Sequence, residues 1–162
     1  MKSIAYLALG SNIGDRELNL LRAVAEIGKI PDVRITGLSG FYDTDPVSTV
    51  PQDPFINAVL CCEVSMGPHQ LLDELQRIES GVFRRKRNIP QGPRTMDLDI
   101  LLFDDLVISD DRLTIPHPRL HQRRFVLVPL TEIAPDLVHP LIRNSVKEIL
   151  DSLPDGERVV RV

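Results

Sequence analysis

Met96-Asp97-Leu98-Asp99-Ile100-Leu101-Leu102-Phe103 reads as a β-strand with two carboxylates set into it. Side chains alternate along a strand, so Asp97 and Asp99 share one face, about 6.5 Å apart, while Leu98 turns into the core. Two carboxylates at that separation can converge on one or two divalent cations, which lie about 3.5–4 Å apart in two-metal sites. The competing reading is the polar face of an edge strand. Against it, aspartate is depleted in strands and like charges on one face repel. The pair is a candidate metal site.

Charge is arranged in blocks around this strand. From Arg84 to Arg94 every charge is positive: Arg84, Arg85, Lys86, Arg87 and Arg94. From Asp97 to Asp111 every charge is negative, and from Arg112 to Arg124 all are positive again, with His117 and His121 among them. One such block is ordinarily a solvated face. Two basic blocks flanking an acidic strand suit a polyphosphate with Mg²⁺, because arginine forks hold phosphate oxygens and aspartates hold the hard metal. Asp104-Asp105 and Asp110-Asp111 are read as turn residues, where aspartate serves the backbone.

Further out, Ile4–Leu9 is the first strand, and Gly10-Ser11-Asn12-Ile13-Gly14-Asp15 turns into a helix from about Arg16 to Ile27. Leu20, Val24 and Ile27 recur at helical spacing with Leu18, Leu21 and Ala25 beside them; Gly28 and Pro31 stop the helix. Val33–Ser39 and Phe41–Tyr42 are strand material, and Asn57–Val64 is a clear strand. A helix from Pro68 to Glu79 buries Leu71, Leu75 and Ile78 and ends at Gly81. Phe125–Ile133 is a short helix or turn, and the capping-box spacing of Ser145 and Glu148 opens a last helix ending near Leu153. The order β-α-β-β-α-β matches a ferredoxin-like α+β sandwich, an antiparallel sheet with helices packed on its faces, those of the repeat sharing one face. It is read as one domain over 1–162. Asp43–Pro54 and Val82–Thr95 fit no element, and loops of that length in a compact domain are usually functional lids or disordered.

Composition narrows the function. The 162 residues are 43% hydrophobic and 26% charged, enough for one domain with its own core. Nineteen Lys and Arg against 23 Asp and Glu give a formal net charge of −4, the wrong sign for a general nucleic-acid binder, though a local basic site stays open. Cys61 and Cys62 are neighbours in a strand and face opposite ways, so they are core or half-buried thiols and not a metal pair or disulfide. The N-terminal run is too short for a membrane span and has no cleavage site, so a soluble cytoplasmic protein is expected. Neither G-x-x-x-x-G-K-[ST] nor G-x-G-x-x-G is present, and no Cys–His or Ser nucleophile motif occurs. Phosphates would have to be held by side chains.

The stretch Gln91-Gly92-Pro93-Arg94-Thr95-Met96-Asp97-Leu98-Asp99-Ile100-Leu101-Leu102 resembles the signature of the 6-hydroxymethyl-7,8-dihydropterin pyrophosphokinase family. Gly10-Ser11-Asn12, Phe41-Tyr42-x-Thr44, Phe55-Ile56-Asn57-Ala58, Gln76-Arg77-Ile78-Glu79, Leu113-Thr114-Ile115-Pro116-His117-Pro118 and Arg123-Arg124-Phe125 follow in the family's order, from residue 4 to about 140. The resemblance implies the same fold. It also implies transfer of the terminal pyrophosphoryl group of ATP to the hydroxymethyl of the dihydropterin, with two Mg²⁺ and release of AMP, in folate biosynthesis.

Residue by residue, the resemblance makes Asp97 and Asp99 the metal ligands and Arg84 and Arg94 the loop arginines that neutralise phosphates. Gln76, Glu79, Ile100, Arg112, Thr114, His117 and Arg123 match ATP-site positions. Asn57 matches the amide that reads the pterin edge, and Phe55 and Phe125 the aromatics that sandwich the ring. Gly10, Thr44 and Val47 are expected in the same pocket. Three positions depart from relatives: Asp45 where many have proline, Phe55 where others have tyrosine, and Gln91 where some have a tryptophan over the substrates. Because the loops carry ATP-touching arginines, Val82–Thr95 is expected to order only once nucleotide and Mg²⁺ bind. The partners implied are ATP and the dihydropterin, with no nucleic acid, no membrane and a monomeric state. The alternative is a ferredoxin-like ligand- or RNA-binding module without catalysis. An RNA-recognition strand of K/R-G-F-x-F type is missing, and the intact Asp97, Asp99, Arg94 and Asn57 speak against an inactive relative.

Overall fold

A computed structural model describes residues 2–46, 50–84 and 94–162. Most of Val82–Thr95, including Gln91, and Val47 lie outside the described residues, and with them the expected ordering of that loop. In chain order the elements are β1 (Ser3–Ser11), α1 (Arg16–Gly28), β2 (Val33–Leu38), β3 (Tyr42–Thr44), β4 (Phe55–Val64), α2 (Pro68–Arg77), β5 (Asp97–Phe103), β6 (Ile108–Ser109), β7 (Thr114–Ile115), α3 (Arg124–Ile133), α4 (Val146–Ser152) and β8 (Val159–Arg161). The sheet runs β5-β1-β4-β3-β8, with β2 also on β4, and every pairing is antiparallel. Its β1-α1-β2-β4-α2-β5 frame is the ferredoxin-like sandwich.

Alternation divides the sheet between two cores. Leu7 and Leu9 of β1, Ile56 and Leu60 of β4, and Leu98 and Ile100 of β5 pack against Leu20, Ala23 and Ile27 of α1 and Leu71 and Leu75 of α2. On the other face Val59, Leu101 and Leu102 pack with Val126, Leu127 and Leu130 of α3 and Val146 and Ile149 of α4. The two helices of the repeat therefore share one face, and the C-terminal extension covers much of the other.

Local signals explain the ends. Asp15 caps α1 by accepting the Leu18 N–H at 3.1 Å, and Ser145 and Glu148 form the reciprocal box that opens α4. Gly81 does not end α2; the helix widens into a π turn over Ile78–Val82 and stops at Phe83. In α1 the buried polar residue is Asn19, whereas Leu18 and Leu21 face solvent at 49% and 55% exposure. Asp43 and Thr44, read as loop, belong to β3, and Phe125–Ile133 lies in a full helix. Cys62 is buried and Cys61 half-buried, both as free thiols, and burial pushes Cys62 up to about 12. Asp104 sits in the turn after β5 with φ of 50°, its side chain taking the Ile4 N–H of β1 at 2.8 Å, and Asp110 serves its own turn by taking the N–H groups of Arg112 and Leu113 at 2.9 Å each.

Candidate active site

The site starts from one register. Gly10 of β1 lies opposite Asn57 of β4 on one side and Asp97 of β5 on the other. Two residues back, Ala8 lies opposite Val59 and Asp99. All six belong to the face turned away from α1 and α2, and the two small residues of β1 leave space above the middle strand. That space is a cleft lined also by Thr44, Phe55, Arg94, His117, Arg123 and Phe125.

On the β4 side, the Asn57 amide donates to Thr44 Oγ1 at 2.5 Å, with both residues buried. This bond fixes the amide plane and sets Oδ1 above Gly10, where a Cβ would stand only 2.6 Å from it. Glycine is required here by space. On the β5 side, Asp97 and Asp99 are half-buried around the buried Leu98, as alternation predicts. Arg94 Nη1 lies 3.3 Å from Asp97 Oδ2, and its guanidinium carbon is 5.8 Å from the Phe55 ring centroid. The start of α3 brings in Phe125 with Arg123, whose guanidinium carbon is 5.4 Å from that ring.

His117 is pinned by its backbone: its N–H donates to Leu101 at 2.9 Å, and its Nδ1 accepts the Arg119 N–H at 3.2 Å. An Nδ1 that accepts places the proton of the neutral ring on Nε2. Burial, helped by the Arg123 charge, pushes His117 down to about 4, so the ring is neutral at pH 7. Burial also lowers Arg123 from its usual value.

The loops are moored by a residue whose role sequence reading did not assign. Asn12 N–H donates to the Arg94 carbonyl at 3.0 Å, and Arg94 N–H donates back to Asn12 Oδ1 at 2.7 Å. The Asn12 amide also donates to Gln52 Oε1 at 2.7 Å and to the Asp53 carbonyl at 3.1 Å. Asn19 supports this from α1, donating to Ser11 Oγ at 3.1 Å and to the Ile13 carbonyl at 2.9 Å. Gln52, Asp45, Leu101 and Val126 line the cleft as well, and none was singled out as a ligand contact from sequence. A polar residue interrupting the apolar period of α1 at Asn19 was the available signal.

Other expected site residues lie elsewhere. Glu79 is buried behind β5, where its carboxylate accepts the Leu98 N–H at 2.8 Å. Ile100 is in the core, Gln76 is exposed on α2, and Thr114 is exposed in β7. Arg112 pairs with Asp73 at 2.5 Å on the surface. Arg84 is exposed with φ of 50°. None of these six lines the cleft as described, and Val47 lies outside the described residues.

Residues 6–135 match the family described as 7,8-dihydro-6-hydroxymethylpterin-pyrophosphokinase (HPPK). The 2-amino-4-hydroxy-6-hydroxymethyldihydropteridine pyrophosphokinase of Bacillus subtilis is 47% identical over 82% of this chain and 79% of that protein. The protein of the same name from Methylorubrum extorquens is 43% identical over 96% of this chain and 98% of that one. The folic acid synthesis protein fol1 of Schizosaccharomyces pombe is 44% identical over 93% of this chain, which spans only 20% of that larger protein. Among solved structures, wild-type Plasmodium falciparum HPPK-DHPS with SDX-DHP superposes with a TM-score of 0.74 at 14% identity, over 93% of this chain and 44% of that one, a likeness of fold alone. By the family match and by these identities, the chain belongs to the 7,8-dihydro-6-hydroxymethylpterin-pyrophosphokinase family.

Proposed function

We propose that this chain transfers pyrophosphate from ATP to the hydroxymethyl group of 6-hydroxymethyl-7,8-dihydropterin, releasing AMP, in folate biosynthesis. The observation that carries the reading is the register of β1, which sets Asn57 and Asp97 on opposite flanks of Gly10, with Asp99 two residues along beside Ala8. A flat heterocycle on the Asn57 side and a polyphosphate on the Asp97 side would meet above β1.

On the pterin side, Asn57 offers an oxygen and Thr44 fixes its orientation, while Phe55 and Phe125 present ring faces to the heterocycle. On the ATP side, Arg94 and Arg123 supply charge to the phosphates, with Arg84 joining from its loop. Neutral His117 offers its Nε2–H to a phosphate oxygen. Among the described residues, no three His, Cys, Asp or Glu side chains group as a metal cage. Mg²⁺ needs no such cage, since one or two carboxylates with phosphates and waters complete its shell, and the hard oxygens of Asp97 and Asp99 fit it. Two Mg²⁺ held there would neutralise the phosphates and polarise the hydroxyl. In the transfer, the hydroxyl oxygen bonds to the β-phosphorus and gives up its proton to solvent, the bond from that phosphorus to its α-bridging oxygen breaks, and AMP leaves with the electron pair. The protein contributes alignment and charge, and no covalent intermediate is needed.

The protein would act as one domain over residues 1–162, as a monomer in the cytoplasm. Among the described residues, no helix is long and apolar enough to cross a membrane. The decisive experiment mixes ATP, the dihydropterin and Mg²⁺ and follows nucleotide products. AMP, not ADP, should form, and only with all three present. ATP breakdown that ignores the pterin, or tight RNA binding with no breakdown, would sink the reading.

A further inference from the structure

β3 carries the Thr44 side of the pterin wall, and its outer edge is covered by a strand that lies beyond the family-matched residues 6–135. Tyr42, Asp43 and Thr44 pair with Arg161, Val160 and Val159 of β8. The pairing extends at both ends, with Asp45 N–H donating to the Arg158 carbonyl at 3.2 Å and Val162 N–H to the Phe41 carbonyl at 2.8 Å.

Two arginines pin this strand. Arg161 lies over Gly40, where a Cβ would be 2.7 Å from its Nε, and reaches Glu132 at 4.0 Å. Glu132 also accepts the Tyr42 hydroxyl at 2.5 Å and the Gly40 N–H at 3.0 Å. Arg158 donates from Nη2 to Asp43 Oδ1 at 2.5 Å, and from Nε to Asp45 Oδ1 at 3.2 Å. Its own backbone N–H points to Asp45 Oδ2 at 3.4 Å. Asp43 has a second cation, Arg16, at 3.6 Å, whereas the ion pair found for Asp45 is with Arg158.

We propose that Arg158, the residue that leads into β8, is a positioning residue for the pterin wall: it ties Asp45, which lines the cleft, to Asp43 and so holds β3 and Thr44 in place beside Asn57. The proposal rests on the pyrophosphokinase reading above. Asp43 and Asp45 are two apart on an extended chain, so their carboxylates lean to one side and repel. A single planar fork between them removes the repulsion and fixes both directions, which an ammonium cannot do as well. Arg158 and Asp45 are about half exposed, so the pair adds little to folding and its effect is on local geometry.

The test compares Arg158→Ala and Arg158→Lys with Ile27→Ala, which weakens the opposite core without touching β8. For each, KM for the dihydropterin, kcat, ATP affinity and melting temperature are measured. Arg158→Ala should raise the pterin KM about three- to tenfold, with kcat and ATP affinity within about twofold and a smaller melting shift than Ile27→Ala. Arg158→Lys should recover part of the loss. Adding Asp45→Asn to Arg158→Ala should lower KM again by relieving the repulsion. An unchanged pterin KM in Arg158→Ala overturns the proposal, as does a loss shared equally by ATP or reproduced by Ile27→Ala. If the wild-type chain makes no pterin-dependent AMP, the functional reading fails and this proposal fails with it.

Discussion

The two faces of the sheet are made by alternate residues of the same three strands, yet they are finished differently. Facing α1 and α2, Leu7, Leu9, Ile56, Leu60, Leu98 and Ile100 are buried in a core that closes over the full length of the strands. Facing α3 and α4, Val59, Leu101 and Leu102 are covered, but the end bearing Gly10, Asn57, Asp97 and Asp99 is left as a cleft. One step along the chain separates a residue that holds the fold from one that lines the cleft. The same-face repulsion of Asp97 and Asp99 is offset by the cations around them, with Arg94 at 3.3 Å from Asp97 and the Arg123 charge facing both.

That division can be broken from either face. The largest effect is expected from Asp97→Ala or Asp99→Ala, each lowering pterin-dependent AMP formation by roughly a thousandfold or more. Thermal melting should change only modestly, because relief of the like-charge repulsion is set against loss of attraction to the cations that face these carboxylates, among them Arg94 at 3.3 Å from Asp97. A variant that melts early and keeps its rate would reverse the assignment of the two faces. Next, Leu7→Ala on the closed face should cost about 2–5 kcal/mol of stability in urea unfolding. Its rate per folded molecule should hold within about twofold.

Gly10→Ala probes the seam between pterin and metal flanks. Its Cβ would meet Asn57 Oδ1 at 2.6 Å, so pterin affinity, read by titration, should fall roughly ten- to hundredfold, the worth of one displaced buried polar contact. Equal loss of ATP affinity would show that the two flanks are not separate. The smallest effect concerns pH. His117 titrates near 4 in the fold, below the ordinary histidine value of about 6.5 expected when unfolded. Between those values the unfolded chain binds a proton that the native chain refuses, so this residue makes acidification destabilising from about pH 6.5 down to about 4, with no further change below. Melting curves across that window should therefore fall less steeply for His117→Gln than for the wild type.

The strand carrying the aspartates was legible because a period of two needs only a few residues to declare itself, and the Asp97-Leu98-Asp99 alternation appears as read. The frame helices were legible for the same kind of reason, with α1 starting at Arg16 and α2 at Pro68 as expected. β8 was not: three residues, Val159–Arg161, give no period, and its place beside β3 comes from long-range pairing. Leu18 and Leu21, beside the helical spacing of Leu20, Val24 and Ile27, face solvent, because helix position and not hydrophobicity sets which side meets the core, and Asn19 takes an inward place. For the site, Gly10, Thr44, Phe55, Asn57, Arg94, His117, Arg123 and Phe125 gather with the aspartates, whereas Glu79 braces β5 from behind. A motif gives chemical type and order but not whether a side chain faces the ligand or the strand that carries it.

Asn12 has a thermodynamic consequence. One side chain moors Gln52 and Asp53 on the proposed pterin side and Arg94 on the proposed phosphate side, through bonds of 2.7–3.1 Å. A ligand whose arrival tightens one of these loops also changes how firmly the other is held. The two affinities are then linked, and linkage is reciprocal: whatever factor ATP lends to pterin binding through Asn12, the pterin returns to ATP. Removing that amide would weaken such a link, leaving only the backbone bond from Asn12 to the Arg94 carbonyl.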